Sequence, residues 1–193
     1  MDWLLWIDLE TTGLDPSDCH ILQVGCILST MKAEVCYELP QLILYCDKSV
    51  IENMDEWCKK THTRSGLVEH VLISNMTVEQ AEQQICMHLN NYVRVQDKVY
   101  LAGNSVHFDR SFIQRWMPRL AQRLSHRIVD VSSFALVCKN LNPRVYEFRP
   151  VKSHVHTALV DIRESIREYQ YYLTTFTQNN PQEPFDSPTT YNV

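Results

Sequence analysis

Asp8 and Glu10 are two carboxylates one residue apart, behind the apolar run Trp3-Leu4-Leu5-Trp6-Ile7 and ahead of Thr11-Thr12-Gly13-Leu14. The run reads as a buried strand, in which residues i and i+2 project to the same face. Asp8 and Glu10 then stand side by side, with Leu9 turned away. Two neighbouring carboxylates resist ionising together unless a positive charge lies between them. Oxygen ligands at the end of a buried strand suit Mg²⁺ or Mn²⁺ far better than zinc. Taken alone, the pair is equally well a solvated strand end.

Three further segments carry groups of the same kind. Gly103-Asn104-Ser105-Val106-His107-Phe108-Asp109 puts an acid shortly after a short strand. Arg127-Ile128-Val129-Asp130-Val131-Ser132 is a strand running into polar residues at a helix start. His156 stands five residues before Asp161, at the start of the last helix. Each has a plainer reading. Asp109 could cap its helix, which is compatible with holding a metal. Asp130 reads as a structural acid orienting a turn, and Arg127 could sit in a surface salt bridge.

The elements that must position these groups follow from hydrophobic periodicity. Residues 21–29 and 35–45 read as further strands, giving a meander of three antiparallel strands with the first. Pro40 inside the third run implies an edge or a bulge. Residues 50–60 and 65–73 are short amphipathic helices. Thr77 with Gln80 forms a capping box ahead of Val78, Ala81, Ile85 and Leu89 at helical spacing. Residues 99–102 and 128–129 are short strands. Residues 109–116 and 132–139 are helical, the former stopping near Pro118. The last helix covers about 157–175, with Ala158, Leu159, Ile162, Ile166, Tyr169 and Leu173 on one side. Strands first, then alternating helices and strands, give an α/β fold with a mixed sheet, whose strand ends are the place for a site.

Composition narrows the function. A chain of 193 residues, 45% hydrophobic and 21% charged, fits one folded domain over residues 1–176. A polar, proline-containing tail, expected to be flexible, follows over 177–193. No run nears the roughly 18 apolar residues of a membrane span, so no membrane partner is expected. The first strand begins too near Met1 for a secretory signal or a transit segment. Seven cysteines without a C-x-x-C pair argue for reduced thiols rather than zinc or disulfides. The compartment expected is the cytoplasm, or the mitochondrion if a transit peptide has been removed. A net charge of −5 speaks against a long groove for duplex DNA, but not against a short nucleic acid held through metals. With four glycines in all, there is no Gly-rich phosphate loop.

Taken in order, D-x-E-T-T-G, the later Asp109 and H-x-x-x-x-D resemble the motif series of the DEDDh 3′→5′ exonucleases. More closely, W-I-D-L-E-x-T-G-L-D, W-x-x-x-T-H-x-x-S-G-L, G-N-S-x-x-x-D, R-x-x-D-V-S and D-I-R-E-S-I are similar to the oligoribonuclease family, from Trp6 to about Tyr172. The resemblance implies a ribonuclease-H-like α/β fold, a mixed sheet of about five strands flanked by helices. It implies two-metal hydrolysis of short single-stranded RNA, down to dinucleotides, to nucleoside 5′-monophosphates. Asp8, Glu10, Asp109 and Asp161 would hold two Mg²⁺ or Mn²⁺ ions about 4 Å apart. His156 would be the general base; His154, its rival, does not fit the H-x-x-x-x-D spacing.

Substrate positions carry over as Leu14, wedged against the bases, Trp57 and His62 in the pocket, and Ser105, Arg127 and Ser132 capping a phosphate. A serine opening a helix is a sound place for a phosphate because free N–H groups point there, and an arginine adds a bidentate grip. Trp57 is equally a core candidate, and Tyr169, Tyr171 and Tyr172 read as core and interface packing. The family is a homodimer, so a homodimer is expected. Thr11 replaces the family's usual Met, and Val160-Asp161 its usual acid pair. His126 replaces a Tyr that packs on the substrate base from the partner subunit; a histidine stacks with less area and a titratable ring. His107 and Phe108 replace more polar residues, and Phe108 could contact a base. Two other readings remain open: a related exonuclease working on longer RNA or DNA ends, and a catalytically silent RNA-binding protein.

Overall fold

The structure is a computed structural model and describes residues 1–153 and 157–178. Its centre is strand β1 (Asp2–Thr11), which pairs antiparallel with β2 (Ile21–Thr30) and parallel with β5 (Lys98–Gly103). β2 also pairs antiparallel with β3 (Val35–Glu38) and with the two-residue β4 (Leu42–Ile43). β5 pairs parallel with β6 (Leu124–Asp130), completing a six-stranded mixed sheet ordered β3-β2-β1-β5-β6 with β4 beside β2. About five strands were expected. The extra one arises because the run 35–45 breaks around Pro40, which cannot donate to the ladder, into two short strands.

β1 is buried on both faces, and its alternation assigns each face a layer. Trp3, Leu5, Ile7 and Leu9 pack with helices α4 (Val78–Tyr92), α5 (His107–Trp116) and α6 (Pro118–Arg123). Leu4 and Trp6 pack with helices α7 (Val131–Leu141) and α9 (Ala158–Gln178), including Tyr169 and Tyr172. Each fully buried aliphatic side chain here contributes about 1.5–3 kcal/mol. A third cluster joins Leu22 of β2 to α1 (Lys48–Glu52), α2 (Glu56–Arg64) and α3 (Leu67–Ile73).

Several helices depart from expectation for local reasons. Residues 50–60 form two helices, because Asp55 accepts from the Cys58 amide and starts α2 afresh. Helix α5 stops at Trp116, near Pro118 as read, but Pro118 does not leave a loop behind it. It opens α6 at the first helical position, where its missing N–H costs nothing. Pro143 does the same for α8 (Pro143–Glu147). The Thr77–Gln80 capping box forms as read. The last helix extends to Gln178, and the remaining tail residues, 179–193, lie outside the described residues. All seven cysteines are free thiols. Among the described residues no helix is long and apolar enough to cross a membrane.

Candidate active site

The face of β1 that carries Leu4 and Trp6 continues to Asp8 and Glu10, so both acids point toward α9. Asp8 lies opposite Gly25 in the β1–β2 register. A Cβ at Gly25 would come within 2.8 Å of Ile162 Cδ1 and 2.9 Å of the Ala158 backbone. The bare glycine therefore lets the start of α9 lie close against the sheet. The Ala158 amide donates to Gln23 Oε1 at 3.1 Å, fixing the first turn of α9 to the residue opposite Glu10. Asp161, one turn on, joins the pair: Asp8, Glu10 and Asp161 each offer an oxygen, all within 4.8 Å of one another.

Asp109 approaches the same strand end from α5. It is buried, and its Oδ1 accepts from the Leu9 amide at 2.9 Å. It does not cap its own helix, and lies beside the three-acid group rather than within it. All four acids are thus gathered at the carboxyl end of β1, next to the carboxyl ends of the parallel strands β5 and β6.

Electrostatics match an all-oxygen cation site. Burial, and then the neighbouring Asp161, push the Asp8 carboxyl up to about 7, while Lys152 draws it back. Burial followed by Asp8 and Asp161 pushes Glu10 up to about 8. Burial followed by Asp8 raises Asp109 well above the usual carboxylate range. Negative groups packed this way hold protons for want of positive charge, and a divalent ion would supply it.

His62 lies behind these acids rather than in an open pocket. It is 1% exposed, with Nε2 donating to the Thr11 carbonyl at 2.9 Å and Nδ1 3.8 Å from Glu10 Oε2. Leu14 and Trp57 stand out into solvent, at 80% and 61% exposure. That rules out the core alternative for Trp57. A Cβ at Gly13 would come within 3.8 Å of Asp55 Oδ2 at the start of α2, so the two apolar groups rise from adjoining elements.

Ser105 and Ser132 meet beside the acids. Ser105, at the end of β5, has a left-handed backbone with φ of 51°. Its amide donates to Asp130 Oδ1 and to Ser132 Oγ, both at 2.9 Å, and its own Oγ is 3.4 Å from Ser132 Oγ. Asp130 Oδ1 also accepts from the Ser132 amide at 2.9 Å. Asp130 is therefore the turn-orienting acid expected. It also corrects one expectation: the Ser132 amide is not free for a phosphate, since a carboxylate already caps it. The two hydroxyls remain.

Arg127 and His126 do not join Ser105 and Ser132 within one chain. In the β5–β6 register Asp130 pairs with Gly103 and Ile128 with Leu101, so Arg127 lies three residues, about 10 Å, back from the strand end. Both side chains are exposed on β6 at the edge of the sheet, around a cavity of about 320 Å³ shared with Lys98 and Arg123. Phe108 packs on Phe112, with ring centres 5.0 Å apart. His156 and its rival His154 lie outside the described residues.

The sequence reading missed Glu168 and Lys152. Glu168 follows Asp161 by seven residues, two helical turns, and so shares its face of α9. That spacing was the available signal.

Comparison with known proteins places this geometry. A match to the RNase T exonuclease family spans residues 5–169. The chain is 39% identical over 172 residues to the mitochondrial oligoribonuclease of Bos taurus, covering 88% of this chain and 71% of that protein. It is 39% identical over 176 residues to the oligoribonuclease of Halorhodospira halophila, covering 91% and 95%, and 39% identical over 172 residues to that of Arabidopsis thaliana, covering 89% and 77%. Among solved structures, E. coli exonuclease I in complex with an oligonucleotide superposes with a TM-score of 0.70 at 15% identity, over 92% of this chain and 42% of that one. Exonuclease I from Methylocaldum szegediense gives 0.65 at 17%, over 94% and 42%. The chain thus spans about two-fifths of those structures, which share its fold.

Proposed function

The chain belongs to the RNase T exonuclease family and, within it, to the oligoribonucleases, and from that we propose that it is a metal-dependent 3′→5′ exoribonuclease that degrades short single-stranded RNA, finishing at dinucleotides. The observation that carries this reading is the convergence of Asp8, Glu10 and Asp161 within 4.8 Å, with Asp109 alongside, at the carboxyl end of β1.

The donors are hard carboxylate oxygens, which fits Mg²⁺ or Mn²⁺. Asp8, Glu10, Asp109 and Asp161 would hold two such ions. When bound, the ions supply the positive charge that activates a water and stabilises the departing oxygen. His156 accepts the proton of the attacking water as its oxygen bonds to phosphorus. The bond from phosphorus to the upstream 3′-oxygen breaks, that oxygen takes a proton from solvent to become a hydroxyl, and a nucleoside 5′-monophosphate leaves. Leu14 and Trp57 bracket the bases, while His62 holds Glu10 and the Thr11 carbonyl from behind. A dinucleotide has one bridging phosphate, which would lie against the ions held by the four acids. Any second phosphate is then at its 5′ end, and Ser105 and Ser132 grip that one.

His126 and Arg127 serve the site of a second subunit, in a homodimer. Their exposure on an edge strand, about 10 Å from the serines of their own chain, supports this. The chain works in the cytoplasm or the mitochondrion; mitochondrial oligoribonucleases are among its relatives.

The test is incubation with a 5′-labelled diribonucleotide and Mg²⁺, run beside RNAs of increasing length. Release of mononucleotide, fastest from the shortest RNA, is expected. No release from the dinucleotide refutes the proposal, and faster turnover of long strands moves the chain to a general exonuclease.

A further inference from the structure

Glu168 is a buried acid that the proposed hydrolysis does not use. It is 4% exposed, on the Asp161 face of α9. Its Oε2 accepts from Asn104 Nδ2 at 3.2 Å and lies 3.8 Å from Lys152 Nζ. Its Oε1 lies 3.8 Å from Arg149 Nε and accepts from the Tyr172 hydroxyl at 3.4 Å. These groups surround a cavity of about 300 Å³ that Ser132 also lines. Both cations at its wall, Arg149 and Lys152, face Glu168.

The partners of Glu168 explain its position. Asn104 precedes Ser105, and the same Asn104 Nδ2 reaches Ser132 Oγ at 3.4 Å. Ser105 carries a left-handed backbone, which for a serine is strained and persists only where its surroundings over-determine it. Asp130 at the end of β6 and Ser132 in the first turn of α7 hold that turn, and Glu168 holds it from α9. Arg149 and Lys152 belong to the segment leading toward residues 154–156. One carboxylate therefore ties the serine pair, that segment and the helix bearing Asp161 together.

We propose that Glu168 is a positioning residue for substrate phosphate: it fixes the Asn104–Ser105 turn so that the Ser105 and Ser132 hydroxyls are presented together. The proposal rests on the functional reading above, in which that pair grips the 5′-phosphate of a dinucleotide. A residue that only stabilised the fold would affect all substrates alike. A positioning residue for this grip matters only when the phosphate is present.

The experiment compares wild type, Glu168→Ala and Glu168→Gln on a diribonucleotide with a 5′-phosphate and on the same dinucleotide with a 5′-hydroxyl. Circular dichroism establishes folding, and the isosteric glutamine variant carries the test if the alanine variant does not fold. For the phosphorylated substrate, KM rises about tenfold in the alanine variant and about threefold in the glutamine variant, with kcat held within about threefold. KM for the hydroxyl substrate stays at the wild-type value. Equilibrium binding of both dinucleotides with Ca²⁺ in place of Mg²⁺ shows the same split. Asn104→Ala reproduces the effect, and the Asn104→Ala, Glu168→Ala double variant adds nothing further. Equal losses on both substrates, a loss in kcat alone, or additive effects of the two substitutions overturn the proposal. If wild type cleaves neither dinucleotide, the functional reading fails and takes this one with it. Active wild type without the split sinks this proposal alone.

Discussion

Asp8 faces Gly25 across the β1–β2 ladder, and the missing side chain at Gly25 is the space into which Ala158 and Ile162 of α9 settle. Gly25→Ala therefore tests whether helix position governs the acid cluster. The added methyl meets the Ala158 backbone, which cannot swing aside as a side chain would. Overpacking of this kind costs about 1–3 kcal/mol. Urea unfolding is expected to show that loss, and kcat/KM to fall by about tenfold or more, because Asp161 moves with the helix. Unchanged kcat/KM in a destabilised protein would separate the helix from the chemistry.

Removing one of the acids has opposite effects on activity and stability. On the proposed reading Asp8→Asn removes a metal ligand, so activity is expected to fall by more than the tenfold to about a hundredfold typical of outer partners. It also deletes a buried negative charge that burial and Asp161 disfavour. Thermal unfolding in EDTA is therefore expected at a higher temperature for Asp8→Asn than for wild type. A lower temperature would mean that Asp8 stabilises the metal-free fold.

The pH dependence has a definite sign. Asp8 and Glu10 titrate near 7 and 8 in the folded chain, above their ordinary values of 3.8 and 4.5. Between those limits the folded state binds more protons than the unfolded state, so stability falls as pH rises. In EDTA the melting temperature should drop from about pH 4 to about pH 8. Saturating Mg²⁺ should flatten that drop, and metal affinity should rise with pH because ligands must shed protons. A melting temperature that climbs over this range without metal contradicts the assignment.

The placement of Arg127 can be tested by mixing subunits. Arg127→Ala and Asp161→Asn are each expected to be inactive alone. If Arg127 serves a partner's site, a mixed dimer holds one complete site. Random exchange then restores about one quarter of wild-type activity, since half the dimers are mixed and each has one working site of two. No recovery would place Arg127 in its own chain's site or outside the reaction.

Much of this was legible because it is local. The period of two along β1 placed Asp8 and Glu10 together, and the Thr77–Gln80 box appears where it was read. The turn-orienting role of Asp130 needed only a strand end and a helix start. Where two local signals compete, sequence was a poorer guide. Pro118 stops one helix and opens another, and Asp55 divides a run whose periodicity looked continuous. Least legible was what long-range packing decides. Glu168 acquires its role from Asn104, 64 residues away. His62 is drawn under Glu10 by its contact with Thr11, 51 residues away.

The left-handed backbone of Ser105 narrows the residues that can occupy that position. Glycine, asparagine and aspartate tolerate such a conformation, whereas a β-branched side chain there is a steric outlier. Threonine, the usual replacement that keeps a hydroxyl, is therefore closed off. Substitution at position 105 must either keep serine or surrender the hydroxyl, so a drifting lineage would lose that hydroxyl in one step, with no intermediate of similar chemistry to pass through.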